Sequence, residues 1–521
     1  MKTLRGFTGV AFFVCTALLG PLSCSNSTDD GNNTNTNPTT ETNGLSASYP
    51  SDLAVTSPFT SGEVVEGLVR LNSRAQATPN PDEEFKGYFE RIDELETRIT
   101  ATDPTACGFG IGVFRPIPAA TCYGPSISYT NHPDWAPPDD PSLLDDNLPP
   151  GDLGIWDELE ANTNEPCVVA KVNSLMAEVQ SKVDMAVDLV SSMLCVAKVT
   201  GADTLPVEGE SKDLTTTLQD GLTATDTPFT ISAATIERQA DTSDGFKSFL
   251  SEVSGSAEAP TFDQATQTIV TSVHLKHIPT SDDNSTYRGR LWMTVSGGTF
   301  GPGAKCGGQS AKMVATSILY SKDANGRLLY RLQRASYCSD TANPFDANNA
   351  LDASKKDPDP DGWVDNFVDS TFDISVSDST GVISYAWQAG TGDSHARVFL
   401  SELSAASDGG RTGCGYFGFG PDVTRADIGS IDGMICNWAG PHNDHTPQAL
   451  VQRQCVDFDT TNKIWTSNQS NLAVEYGPVN ACAVDVADAA DFDGRTVLAN
   501  QLAPIAEMNA DVTPPAKPSS L

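Results

Sequence analysis

The sequence predicts an α+β protein with N-terminal antiparallel helices, a large antiparallel β meander and a disulfide-rich C-terminal module. Three observations carry this prediction. Apolar residues recur at helical spacing before residue 201, eight later segments alternate apolar and polar residues, and residues 406–500 hold four cysteines among many glycines. The chain has 521 residues, which is long enough for several domains with their own cores.

The pattern divides the chain into six parts. They are a signal peptide (1–23), a disordered tether (24–56), a helical domain (57–201) with a long insertion (101–163), an antiparallel β domain (202–405), a Cys-rich module (406–505) and a tail (506–521).

The first residues have the pattern of an export signal. Lys2 and Arg5 precede the apolar run 6–19, which is too short to span a membrane. Residues 25–44 are almost entirely Ser, Thr, Asn, Asp, Gly and Glu, so this segment has nothing to bury and is predicted to be a disordered tether.

Leu22, Ser23 and Cys24 resemble the lipobox of bacterial lipoproteins, in which a leucine and two small residues precede a cysteine that is diacylated. The family places its leucine three positions before the cysteine, where this chain has Pro21. The resemblance implies palmitate-type acylation of Cys24 and attachment to the cell envelope. Ser25, where an Asp would mean retention at the inner membrane, implies the outer membrane. Ordinary signal cleavage after Ser25 is the alternative.

Three helices are predicted in the helical domain. Thr60 and Glu63 form a capping box before a helix at 61–74, and Asn80 caps a helix over 81–100. A third helix begins at Pro166 and ends near Gly201. The two longer helices are expected to pack antiparallel on each other, although their stripes would also suit an interaction coiled coil. The proline-rich insertion between them suits an extended arm or a ligand lid.

The β domain is predicted to be a meander, because turn-forming residues separate consecutive alternating segments. The sheet could close as a barrel, a half-barrel or a sandwich. The order of a helix and then a meander resembles the lipid-carrying half-barrels of envelope lipoproteins, which implies an apolar ligand. The eight segments are 227–237, 267–278, 285–296, 312–321, 326–337, 371–377, 381–388 and 396–403.

Ten of the twelve cysteines remain once Cys15 and Cys24 are set aside, and an even number in an exported chain predicts five disulfides. Cys167 and Cys195 should not pair, because 28 helical steps separate them by about 42 Å. No two cysteines have the CxxC spacing of redox or zinc sites. The antiparallel helix pair and chain order predict the bonds Cys107–Cys167, Cys122–Cys195, Cys306–Cys338, Cys414–Cys436 and Cys455–Cys482.

The formal net charge of −36 argues against nucleic acid and anionic lipid headgroups as partners. Such a surface attracts cations, but it also serves solubility alone.

Asp357, Asp359, Asp361 and Asp365, with Gly362 at the turn, have the spacing D-x-D-x-D-G-x-x-D. This spacing lets alternate carboxylates converge on one hard cation. It is similar to the calcium loops of thrombospondin type 3 repeats and dockerins, and the resemblance implies bound calcium. The alternative is a solvated acidic turn.

His442, Asp444 and His445 are the candidate transition-metal ligands, since two imidazoles and a carboxylate lie close together in the chain. No HExxH signature supplies a helical metal site, and a polar loop is the alternative.

His274 and His277 should point to opposite faces of one strand. No G-x-S-x-G motif is present, and the sequence assigns no catalytic residue.

These observations favour an envelope lipoprotein with a binding or structural role, attached to the membrane through its N-terminal lipid. A protein partner or an apolar ligand fits this role. One alternative is a carrier of lipid in a half-barrel pocket, and another is a metal-dependent hydrolase using residues 442–445.

Overall fold

The fold is described from a computed structural model of the chain. It covers residues 45–53, 57–59, 95, 97–98, 101–107, 126–128, 166–202, 204–224, 227–260, 266–300, 311–352, 367–375, 380–389, 395–407, 410–420, 451–462, 464–467 and 473–475.

One antiparallel sheet of 13 strands, in which every strand lies beside its neighbour in sequence, forms most of this structure. A separate parallel pair joins β1 (Ser126–Ser128) to β15 (Ala473–Glu475). The sheet contains β2 (Ser211–Asp213), β3 (Thr230–Gln239), β4 (Ser248–Pro260), β5 (Thr266–Pro279), β6 (Tyr287–Phe300), β7 (Ala311–Lys322), β8 (Arg327–Tyr337), β9 (Phe367–Ser375), β10 (Thr380–Ala389), β11 (His395–Ala405), β12 (Arg411–Gly420), β13 (Val451–Asp459) and β14 (Ile464–Thr466).

The predicted meander is confirmed, and all eight predicted segments form strands of this sheet. The sheet also continues past residue 405, because β12, β13 and β14 extend the same ladder. Within the described residues the sheet is open, with β2 and β14 as its edge strands. The hairpin at Asn325 turns through Gly326, whose φ of +76 explains the glycine.

The structure adds β4, which the sequence analysis did not predict. Its residues facing the core are Phe249, Ser251, Val253, Gly255 and Ala257. Three of these five are small, so the alternation of apolar and polar residues is weak. Gly255 is required where it stands, because a Cβ there would lie 2.3 Å from the ring of Phe229.

Helix α1 (Cys167–Val199) confirms the long helix predicted after Pro166. It ends near Gly201, as predicted: Gly201 has a φ of +83 and donates to the carbonyl of Lys198, while Ala202 donates to the carbonyl of Ala197. This pair of bonds is a Schellman motif. All residues from Ala186 to Ala197 are buried, so this part of α1 is enclosed on every side.

α1 packs on one face of the sheet, here called the inner face, and contacts β4, β5, β6 and β13. The N–H of Val168 donates to Gln454 on β13 over 3.0 Å. One-third of the way along, Glu178 pairs with Arg334 on β8 over 2.9 Å. The helix therefore crosses the strands, and each part of it meets a different part of the sheet.

A short helix, α2 (Thr215–Ala224), packs on α1 and β3. The sequence pattern did not predict it, since four threonines and a glycine give its ten residues low helix propensity. Gly221 allows the contact with α1, because a Cβ there would lie 2.7 Å from Cγ2 of Val196.

The predicted helix at 61–74 lies outside the described residues, and so does most of the helix at 81–100. Arg98 from the second helix forms a buried ion pair with Asp188 over 2.9 Å. Asp188 lies in the C-terminal half of α1. Arg98, near the C-terminal end of the predicted helix, therefore does not lie beside the start of α1, and the packing expected from the sequence is wrong on this point.

The disulfide pairs follow from this arrangement and correct the expected ones. Cys107 pairs with Cys195, so the predicted bonds of Cys107 to Cys167 and of Cys122 to Cys195 are wrong. As expected, Cys167 is not bonded to Cys195.

The second described bond joins Cys414 to Cys455, which face each other on β12 and β13. The predicted pairs Cys414–Cys436 and Cys455–Cys482 are therefore wrong, because sheet register rather than chain order brings these cysteines together. Cys167 and Cys338 each take part in a disulfide bond as well, and the partner of neither is among the described residues. The pair Cys306–Cys338 remains a prediction, since Cys306 lies outside the described residues.

Candidate functional site

The site residues proposed from the sequence lie outside the described residues. This holds for Cys24, for Asp357, Asp359, Asp361 and Asp365, and for His442, Asp444 and His445. The acidic segment falls in the connection between Asp352 and β9, and the histidine segment falls between β12 and β13. The structure therefore leaves these assignments as predictions.

The described sheet carries a different set of chemically capable side chains on its outer face, opposite α1. These five residues, called the outer-face cluster, are Glu252, Ser254, Ser272, His274 and Trp292. Register brings them together: His274 on β5 lies between Glu252 on β4 and Trp292 on β6, and Ser254 faces Ser272. Ser272 and His274 are two residues apart, so they share a face.

A chain of polar contacts connects the cluster. The hydroxyls of Ser254 and Ser272 lie 2.9 Å apart. The Ser272 hydroxyl lies 3.2 Å from Nε2 of His274, and Nδ1 of His274 lies 3.8 Å from a carboxylate oxygen of Glu252. The contact with Glu252 is electrostatic, because 3.8 Å exceeds the length of a hydrogen bond, and an imidazole hydrogen on Nδ1 faces this carboxylate. Nε2 is then free to accept the hydrogen of Ser272.

The imidazole is held on two further sides. The ring of Trp292 stacks on it with 5.1 Å between centroids and an angle of 4°. Partial burial lowers the pKa of His274 below its ordinary value of about 6.5, and the charge of Glu252 opposes this effect only in part. His274 is therefore neutral at pH 7, when its Nε2 can act as a base.

The cluster is open to solvent on one side and bounded on the other. The side chain of His274 keeps 25% of its exposure and that of Glu252 keeps 40%. Beyond Trp292, the segment 338–352 covers the outer face of β7 and β8. There Ser317 donates to the carbonyl of Asn349 over 2.8 Å, and the N–H of Leu351 donates to Gln333 over 3.2 Å.

His277 lies on the inner face and confirms that the two histidines point to opposite faces. It is fully buried, with Nδ1 3.0 Å from the hydroxyl of Tyr320 and Nε2 2.9 Å from Oδ1 of Asn284. Asn284 in turn donates to the carbonyl of Tyr49 over 3.0 Å. His277 has no access to a ligand and belongs to the core.

Sequence reasoning missed the outer-face cluster for a specific reason. The alternation in β5 places Ser272 and His274 side by side, and this could be read from the sequence. Glu252 and Ser254 lie on β4, which was not predicted, so their position opposite the histidine could not be seen.

Among the described residues, no three side chains of His, Cys, Asp or Glu come together as a metal site would require. Within the same residues, no helix has the length and apolar composition needed to cross a membrane. Comparison with protein-family models, curated proteins and solved structures found no match to this chain.

Proposed function

We propose that the chain is an envelope lipoprotein, acylated at Cys24, whose folded body has a binding or structural role at the outer membrane. The proposal rests on the apolar run that ends before Cys24, on the polar segment 25–44 and on Ser25. The structural observation that supports it most is that the residues directly after this segment are packed into the core of the folded domain.

The residues that follow the polar segment, 45–53 and 57–59, are called here the N-terminal strap. Tyr49, Leu53 and Phe59 of the strap are at most 2% exposed. Asp52 pairs with Lys322 at the end of β7 and accepts from Tyr287 over 3.1 Å. A lipid on Cys24 would therefore be attached, through the polar segment, to a part of the chain that is fixed in the core.

The strap is held a second time near the last strand of the sheet. Arg411 on β12 donates to the carbonyl of Pro58 over 3.0 Å, and Trp465 on β14 donates to the carbonyl of Phe59 over 3.1 Å. The guanidinium of Arg411 also lies 4.9 Å from the ring centre of Trp465. The strap thus contacts β7 as well as β12 and β14, which lie far from β7 in the sheet. Such contacts suit a folded domain that stays intact while it is tethered.

The packing of α1 on the inner face favours a binding role for other surfaces of the domain over the carriage of a lipid between α1 and the sheet. α1 occupies the inner face from β4 to β13, and its apolar side chains belong to the same core as those of the sheet. A lipid in that space would have to displace α1 and expose this core, at about 25 cal/mol for each Å² of apolar surface.

The test is metabolic labelling with a palmitate analogue, comparing the native chain with Cys24→Ser. We expect labelling of the native chain and none of Cys24→Ser. Cys15→Ser is the matched control, because it removes a thiol from the same signal and should leave labelling unchanged. Equal labelling of native and Cys24→Ser protein would overturn the proposal.

We further propose that the loop containing Asp357, Asp359, Asp361 and Asp365 binds calcium. The support is the spacing of its carboxylates and its position between Asp352 and β9. A cation there would stiffen the connection between two neighbouring strands of the sheet, which is a structural rather than a catalytic role.

A further inference from the structure

We propose that Ser272, His274 and Glu252 of the outer-face cluster form a nucleophilic serine site that accepts acyl groups from small esters. This inference goes beyond the binding role proposed above and does not depend on the lipid anchor. It rests on the positions of three side chains that adjacent strands hold in the order nucleophile, base and carboxylate.

The three side chains stand in the order of a serine–histidine–carboxylate triad, with the carboxylate acting on the histidine by its charge and not through a direct hydrogen bond. The hydroxyl of Ser272 is 3.2 Å from Nε2 of His274, which is at the edge of the range for a nucleophile and its base in an unliganded site. Glu252 approaches the opposite nitrogen, Nδ1, at 3.8 Å. Triads are recognised by such roles and not by a local motif.

The orientation of the imidazole is fixed by its neighbours and not by a flexible loop. His274 lies between β4 and β6, with Trp292 stacked flat against it and Glu252 directly across the ladder. Glu252 is therefore a positioning residue, which keeps the hydrogen on Nδ1 and stabilises the imidazolium that forms during reaction.

The reaction that this arrangement supports is acyl transfer through a serine ester. Oγ of Ser272 attacks the acyl carbon, and its proton passes to Nε2 of His274. The bond from the acyl carbon to the leaving oxygen breaks, and the imidazolium returns the proton to that oxygen. Water then attacks the ester of Ser272, giving its proton to His274, and the released serine oxygen recovers a proton from His274.

When Ser272 attacks, negative charge develops on the acyl oxygen. The hydrogen-bond donor to this oxygen must be a side chain, because β4, β5 and β6 use their backbone N–H groups in the ladder at this point. The hydroxyl of Ser254 lies 2.9 Å from Oγ of Ser272 and can serve as this donor. A single hydroxyl is weaker than a pair of backbone donors. The site should therefore react with activated substrates, such as aryl esters and fluorophosphonates, and turn over slowly.

The experiment uses the full chain and a fluorophosphonate probe, with intact mass to count adducts and fragmentation of the tryptic peptide 248–276 to locate them. We expect one adduct per chain, on Ser272. Labelling should be lost in Ser272→Ala and slowed at least 100-fold in His274→Gln, because general-base catalysis contributes factors of this size. Glu252→Gln should slow labelling less and shift its pH profile to lower pH.

Ser256→Ala is the matched control, because Ser256 lies two residues beyond Ser254 on the same face of β4 and faces Val270 across the ladder, not a member of the triad. It should label as the native chain does. Thermal melting of each variant separates loss of the site from loss of the fold. The proposal is overturned if the native chain gains no more adduct than Ser272→Ala, or if a folded His274→Gln labels at the native rate.

Discussion

Tyr320 on β7 reaches across β6 and donates its hydroxyl hydrogen to Nδ1 of His277 on β5, over 3.0 Å. The residue of β6 beneath it is Gly289, where a Cβ would lie 2.1 Å from the Tyr320 hydroxyl oxygen. The tautomer of the histidine follows from its other neighbour. Asn284 uses its amide nitrogen on Tyr49, so its oxygen faces Nε2, which must carry the hydrogen.

We predict that Tyr320→Phe lowers the free energy of unfolding by about 1–3 kcal/mol, because it leaves Nδ1 of a fully buried histidine without its donor. Gly289→Ala should have a comparable effect by displacing the tyrosine. Urea denaturation measures both. Ser256→Ala on the solvent-facing side of β4 serves as control and should stay within about 0.5 kcal/mol of the native chain. A native-like Gly289→Ala would show that the tyrosine does not cross this glycine.

The same histidine predicts a pH dependence of stability. Burial lowers the pKa of His277 to about 4, against an ordinary value of 6.5. Below pH 6.5 the histidine of the unfolded chain gains a proton while the folded one stays neutral, so stability is lost as the pH falls from 6.5 towards 4. The full difference is about 3 kcal/mol.

Urea denaturation at pH 7 and pH 4.5 checks this dependence. His277→Gln should lose most of the difference between the two pH values, because its side chain does not titrate. His274→Gln should retain most of it, since His277 remains in place. If the native chain and His277→Gln lost the same stability on acidification, the buried histidine would not be its cause.

Alternation of buried and more exposed residues made much of the sheet predictable from sequence, as β3 and β5 illustrate. What could not be predicted depended on tertiary contacts. β4 is stabilised by its neighbours on both sides despite Ser251 and Gly255, and α2 is stabilised by the close approach of Gly221 to α1. Neither segment has enough intrinsic preference for a strand or a helix to be identified from its own sequence.

The predictability of site residues divides in the same way. The Schellman glycine, Gly201, and the opposite faces of His274 and His277 follow from local geometry and were correctly predicted. Glu252 and Trp292, which contact His274, come from the strands on either side, and the partner of Cys107 depends on how the residues around Arg98 lie on α1. Contacts between segments that are distant in the chain cannot be predicted from the spacing of residues within one segment.

For the acidic loop we predict that millimolar calcium raises the melting temperature, because a ligand that binds only the folded chain stabilises it. Asp359→Asn with Asp361→Asn should abolish this increase. The matched control is Asp220→Asn with Asp340→Asn, which removes the same charge from two exposed positions and should preserve the calcium effect. If calcium left the melting temperature of the native chain unchanged, the loop would be an acidic turn and not a calcium site.

The last prediction concerns the bond between Cys107 and Cys195, which closes a sequence separation of 88 residues. The bond fastens residues 101–107 to the last turns of α1, and the ion pair of Arg98 and Asp188 lies nearby in the chain. By the loop-closure argument, replacing both cysteines by alanine should cost on the order of 4 kcal/mol of stability.

Non-reducing peptide mapping checks the connectivity directly. Trypsin releases Cys195 in fragment 183–198, and chymotrypsin at Phe109 separates Cys107 from Cys122 and Cys167. We expect fragment 183–198 to be linked to the piece containing Cys107. Linkage to Cys167 instead would require α1 to be broken, because its 33 residues hold these two cysteines about 42 Å apart. Linkage to Cys122 would show that residues 101–107 are not fastened to the last turns of α1.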